Sequence, residues 1–87
     1  MIKREFFNKP TDAFFWVETI LARHKEYYLS KEEIYSKIPK DEDGVCIVRI
    51  NALENALYNL CKTGHICFTY HSGCKYYAYM EEVKRYD

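Results

Sequence analysis

Within LYNLCKTGHICFTYHSGCKYYAYM (57–80), Cys61, His65, Cys67, His71 and Cys74 carry side chains able to ligate zinc or attack an electrophile. Thiolate and imidazole together are the usual zinc donors, in sets of four. Spacing divides the set. Cys61 and His65 stand four apart, but Gly64 interrupts any helix between them. Cys67, His71 and Cys74 fall on the outer face of a hairpin turning at Ser72-Gly73, with His71 opposite Cys74. Cys67 lies four residues back along that strand, ~13 Å away, beyond a shared metal and beyond the ~7 Å that a disulfide to Cys74 allows. There is no C-x-x-C pair to seed a site. His71 and Cys74 would need Cys46 or a second chain to complete a metal centre, so no metal and no cofactor is expected. Catalysis is not expected either. Glu32 and Glu33 are adjacent and point about 100° apart on a helix, and no oxyanion site or glycine-rich phosphate loop accompanies them.

The composition fits one small packed domain: 87 residues, 48% hydrophobic, 30% charged and 17% aromatic. Thirteen basic residues balance thirteen acidic ones, so no overall field draws the chain to nucleic acid or membrane. A local basic face would suffice for DNA. No apolar run approaches the ~20 residues of a membrane span, and MIKREFFNKP does not read as a secretory signal. A cytoplasmic protein with free thiols, not membrane-bound, is the expectation.

Elements that would position these residues follow from the pattern. Pro10, Thr11 and Asp12 signal a helix start, followed by a stripe of Phe14, Val17, Ile20, Leu21 and His24. Phe15 and Trp16 fall off that stripe and need cover from Phe6 and Phe7 or from another molecule. Tyr27 to Leu29 suggests a brief strand. Ser30 and Glu33 form a capping-box pattern ahead of Ile34 and Ile38, with Pro39 ending the helix. After the charged loop KDEDG, VCIVRI reads as strand or helix entry, and a third helix is placed at 48–63, with Asn51 a candidate cap. Leu53, Ala56, Leu57 and Leu60 cluster on one side of it, Asn51, Asn55, Tyr58 and Lys62 on the other, and Gly64 stops it. In the hairpin, Ile66, Phe68 and Tyr70 share a face with Lys75, Tyr77 and Tyr79, and this face is expected to meet the helices.

In this order and spacing the chain resembles the winged helix-turn-helix family across roughly residues 11–80. YLSKEEIYSKI is similar to the family's strand leading into its second helix, INALENALYNLCKTGHI to its third helix, and FTYHSGCKYYAYM to its two wing strands. The resemblance implies an α+β fold of three helices with a small antiparallel β-hairpin wing, forming a single domain over 1–87. It also implies a transcriptional regulator that binds double-stranded DNA with the third helix in the major groove.

The residues expected at DNA are Arg49, Asn51, Asn55, Tyr58, Asn59, Lys62 and Lys75. Asparagine can pair with adenine through two hydrogen bonds, and lysine reaches bases or phosphates. Lys31 and Lys37 could add phosphate contacts. Between Val48 and Tyr79, Arg49, Lys62 and Lys75 against Glu54 leave a net charge of +2. A monomer with ~4 phosphate contacts would bind weakly, with a log–log salt slope of about −3.6, so a homodimer is expected. The alternative is a winged-helix protein-interaction module, an adaptor or inhibitor that binds no DNA. The small wing, the balanced charge and the aromatic surplus (Phe15, Trp16, Tyr27, Tyr28, Tyr76 and Tyr86) favour it, and Phe15 and Trp16 would lie at that interface.

Overall fold

The structure, a computed structural model, describes residues 12–80. It is α+β, with three helices and a three-stranded antiparallel sheet. Phe6, Phe7 and Tyr86 lie outside the described residues.

Helix α1 spans Ala13–Arg23. Its start is set by Asp12, whose carboxylate accepts a hydrogen bond from the Phe14 N–H at 2.9 Å. Ala13, Val17, Ile20 and Leu21 are buried, while Phe14 and His24 are half-buried. The stripe is thus rotated from the expected one: Ala13 joins the core and Phe14 packs at its margin. Trp16 also packs against the core, which corrects its expected exclusion from it. Phe15 is 44% exposed and meets the Trp16 ring edge-on, with centroids 5.2 Å apart.

Strand β1 is Leu29–Ser30, sharing only Leu29 with the expected Tyr27 to Leu29, and Tyr27 and Tyr28 are exposed. Helix α2, Lys31–Ser36, opens with the complete capping box. The Ser30 hydroxyl accepts from the Glu33 N–H at 3.1 Å, and the Ser30 N–H donates to the Glu33 carboxylate at 2.8 Å. The helix ends at Ser36 and not at Pro39. Its last turn tightens as the Lys37 and Ile38 N–H groups donate to the carbonyls of Ile34 and Tyr35. Ile38 nevertheless reaches the core. Asp41 then closes a tight loop, its carboxylate accepting from the N–H groups of Asp43 and Val45 at 2.9 Å each. Only Cys46 of VCIVRI pairs, in an isolated bridge to Lys40, and Val48 anchors the segment in the core.

Helix α3 runs Ile50–Lys62, inside the expected 48–63, and its cap is Arg49, not Asn51. Leu53, Ala56, Leu57 and Leu60 are buried as their spacing predicts. The helix ends in a Schellman motif. The Gly64 N–H donates to the Cys61 carbonyl at 3.2 Å and the His65 N–H to the Leu60 carbonyl at 2.9 Å. Gly64 has φ +85°, and a Cβ there would meet nothing within 4 Å. Gly64→Ala should therefore cost backbone strain alone, about 1 kcal/mol, which a thermal melt reads as a fall in Tm of about 4–8 °C.

Strands β2, Ile66–His71, and β3, Cys74–Tyr79, form the expected hairpin, with His71 opposite Cys74. Ser72 and Gly73 both take positive φ, 54° and 80°, as a type I′ turn requires. β1 pairs with β3, so the sheet order is β1-β3-β2. The register puts Ile66, Phe68 and Tyr70 opposite Tyr79, Tyr77 and Lys75. Only the base of that face meets the helices: Ile66 and Tyr77 are buried, but Phe68 and Tyr70 are 46% and 64% exposed. The hairpin extends past the helical layer, which corrects the expectation that the whole face is core. Ala78, on the opposite face, is buried.

Candidate nucleic-acid interface

Helix α3 packs on α1, α2 and β2. With Leu53, Ala56, Leu57 and Leu60 turned inward, a rotation of about 100° per residue sets Asn51, Asn55, Tyr58 and Lys62 diametrically opposite. All four are exposed, Tyr58 to 65%. Lys62 Nζ lies 5.9 Å from the centre of the Tyr58 ring, so the cation and the ring form one surface unit. Arg49 caps the helix through its backbone only, and its side chain is exposed at the N-terminus of α3.

Asn59 sits apart from that stripe. It is half-buried, and its amide donates to the Asn55 backbone carbonyl at 2.8 Å and to Asn55 Oδ1 at 3.1 Å. It holds the Asn55 side chain in place, while the Asn55 amide N–H groups are left for a ligand. Sequence spacing groups the two asparagines but does not distinguish their roles.

Two expected cations are engaged within the protein. Lys31 Nζ lies 2.7 Å from Glu54 Oε2, a pair that ties α2 to α3. The hydrogen bond and charge of Glu54 raise the Lys31 pKa. Lys75 lies over the Phe68 ring at 4.2 Å and near the Tyr77 ring at 5.5 Å. Lys37 is exposed on the far end of α2. The exposed cations of α3 and its cap are therefore Lys62, on the stripe, and Arg49, at the helix start.

The cysteines and histidines distribute as the periodicities require. Cys46, Cys61, Cys67 and Cys74 are free thiols. His65 Nδ1 lies 2.7 Å from the Thr63 hydroxyl, and the His71 ring meets Tyr76 edge-on. Among the described residues, no group of three or more His, Cys, Asp or Glu is arranged to hold a metal ion. A relation invisible in the sequence joins α3 to the hairpin: burial pushes the Cys61 thiol up, Lys75 opposes this, and Cys67 adds to it. Thiolates react and thiols do not. A thiol reagent near neutral pH should therefore modify exposed Cys74 well before Cys61, and the gap should narrow as pH rises through the Cys61 pKa. Mass spectrometry of timed samples checks this, and equal rates near neutrality would contradict it.

No helix among the described residues is long and apolar enough to cross a membrane. No family model, curated protein or solved structure matches the chain.

Proposed function

We propose that this chain is a winged-helix protein that binds double-stranded DNA as a dimer and acts as a transcriptional regulator. α3 enters the major groove, and the Ser72-Gly73 turn lies against the flanking backbone. The observation that carries the reading is the uncovered outer face of α3, where Asn51, Asn55, Tyr58 and Lys62 stand exposed opposite the buried leucines. Asparagines favour neither helix formation nor burial, and their placement along one exposed stripe suits readout of base edges. Arg49 and Lys62 supply phosphate contacts, with Lys37 a third at the second helix. Lys31 and Lys75 serve the fold in the free protein. With ~3 phosphates per subunit, the log–log salt slope of a dimer is about −5.

Selection of bound sequences from a random duplex pool tests the reading. Enrichment of a two-fold symmetric motif is expected, and no enrichment at low salt overturns it. A second reading, a module that binds another protein and no DNA, draws on exposed aromatic side chains away from α3, chiefly Phe15, Tyr27 and Tyr28. A pool that yields no motif promotes that reading.

A further inference from the structure

Strand β2 is the long free edge of the sheet. The order β1-β3-β2 leaves its outer side unpaired among the described residues, whereas the other edge, β1, has two residues. The Met80 N–H donates to the His65 carbonyl at 3.2 Å, extending the ladder by one step beyond Ile66 and Tyr79. Bonded and non-bonded pairs alternate along an antiparallel ladder. His65, Cys67, Thr69 and His71 therefore bond to β3, and Ile66, Phe68 and Tyr70 turn their N–H and C=O groups outward.

Free edges are ordinarily blunted by charged residues, proline or a bulge. ICFTYH has no proline and no Lys, Arg, Asp or Glu, and its pairing to β3 is continuous. Its side chains add to the exposure. Phe68 and Tyr70 stand edge to face with centroids 5.9 Å apart, on the part of the hairpin that projects beyond the helices.

We propose that β2 is the self-association edge of this protein. Two copies pair β2 to β2, antiparallel about a two-fold axis normal to the sheet, and join their sheets into one. Phe68 lies opposite Phe68 of the second copy, and Ile66 lies opposite its Tyr70. This register satisfies every outward N–H and C=O of Ile66, Phe68 and Tyr70. A two-residue shift one way would set Ile66 against Ser72, and the other way Tyr70 against Gly64, and positive φ values of 54° and 85° take both partners out of the strand. The symmetry of the outward groups about Phe68 favours a second copy as the occupant, since two copies of this edge satisfy one another in full and carry no opposing charges. Antiparallel self-pairing brings no like charges together along β2 itself, and the Lys75 Cα atoms of the two copies stand ~14 Å or more apart, each ammonium keeping its place over the Phe68 ring of its own copy. The Phe68 and Tyr70 rings of both copies then cover one another on one face of the joined sheet. The proposal supplies the interface for the dimer proposed above and is tested without DNA, so either can fail alone.

Light scattering after size-exclusion chromatography of the full chain reads the assembly. A dimer is expected for the native sequence. Phe68→Lys sets two cations face to face and exposes what Phe68 buried, so the dissociation constant should rise at least about 100-fold. Phe68 is exposed in the monomer, so the variant should stay folded by circular dichroism, and Tyr58→Lys on α3 should leave the dimer intact. The register has its own test. Cys67 faces Thr69 of the second copy in a non-hydrogen-bonded pair, where Cα atoms ~4.5 Å apart permit a disulfide. Thr69→Cys should give a covalent dimer on a non-reducing gel, and Phe68→Lys in the same chain should abolish it. A native chain that is monomeric at every concentration overturns the proposal and leaves a strand from another protein as the occupant. A dimer indifferent to Phe68→Lys, with no Thr69→Cys cross-link, overturns it as well.

Discussion

Leu57→Ala should remove about half or more of the domain's stability. Leu57 is 1% exposed at the centre of the inward face of α3, where that helix packs against α1, with Leu53 beside it fully buried. Truncation removes the transfer free energy of the lost methyl groups and leaves a cavity, together about 2–5 kcal/mol. A domain this small has a total stability of only about 5 kcal/mol or a little more. Urea unfolding followed by circular dichroism reads the loss as a fall in midpoint with an unchanged slope. The adjacent residue is the control: Tyr58→Ala, on the exposed face, should change stability by no more than about 0.5 kcal/mol. Equal effects at the two positions would mean that the inward and outward faces of α3 have been misassigned.

Lys62→Glu should weaken duplex binding at moderate salt by at least about 100-fold. It removes a cation from the C-terminal end of the outward face and places a carboxylate against the phosphates, twice in a dimer. Each subunit loses one phosphate contact and gains a repelled charge, so the change on both subunits should cost at least about 100-fold. Asn55→Ala should act differently. Its Oδ1 receives one hydrogen bond from Asn59, and its amide N–H groups remain for a base. Its removal should cost about 1–3 kcal/mol on the selected sequence, relax preference at one position in each half-site and leave random-sequence binding nearly unchanged. Fluorescence anisotropy with both duplexes separates the two behaviours. A uniform loss for Asn55→Ala would assign it to the backbone and not to the bases.

Most of the fold was legible because short-range chemistry dictates it. Ser30 and Glu33 satisfy each other's backbone donors, Gly64 takes a conformation that other residues resist, and Ser72-Gly73 fixes the hairpin register. The leucine spacing of α3 gave both its buried and its exposed face. What periodicity could not supply was extent. An alternating strand reports which side chains share a face but not how far the opposing layer reaches, so Phe68 and Tyr70 read as core and stand in solvent. The same limit applies to Trp16, which lies off the helical stripe yet touches the core, because contact depends on neighbours that the helix itself does not specify. Side-chain pairings between distant segments were also beyond reach. Lys31 with Glu54 and Lys75 over Phe68 take two cations out of the expected phosphate-binding set, and neither pairing follows from sequence spacing. Free and paired lysines look alike in a sequence.

Whether the outward face of α3 meets DNA is read most plainly from the salt dependence of duplex binding. Affinity for a random-sequence duplex is measured from about 50 to about 200 mM salt for the native chain and for Lys62→Glu. A slope of about −5 is predicted for the native dimer, falling by about 2 in magnitude in the variant as each subunit loses one phosphate contact. No binding by the folded native chain at the lowest salt, or binding that Lys62→Glu leaves unchanged in strength and slope, would mean that this face of α3 does not meet DNA.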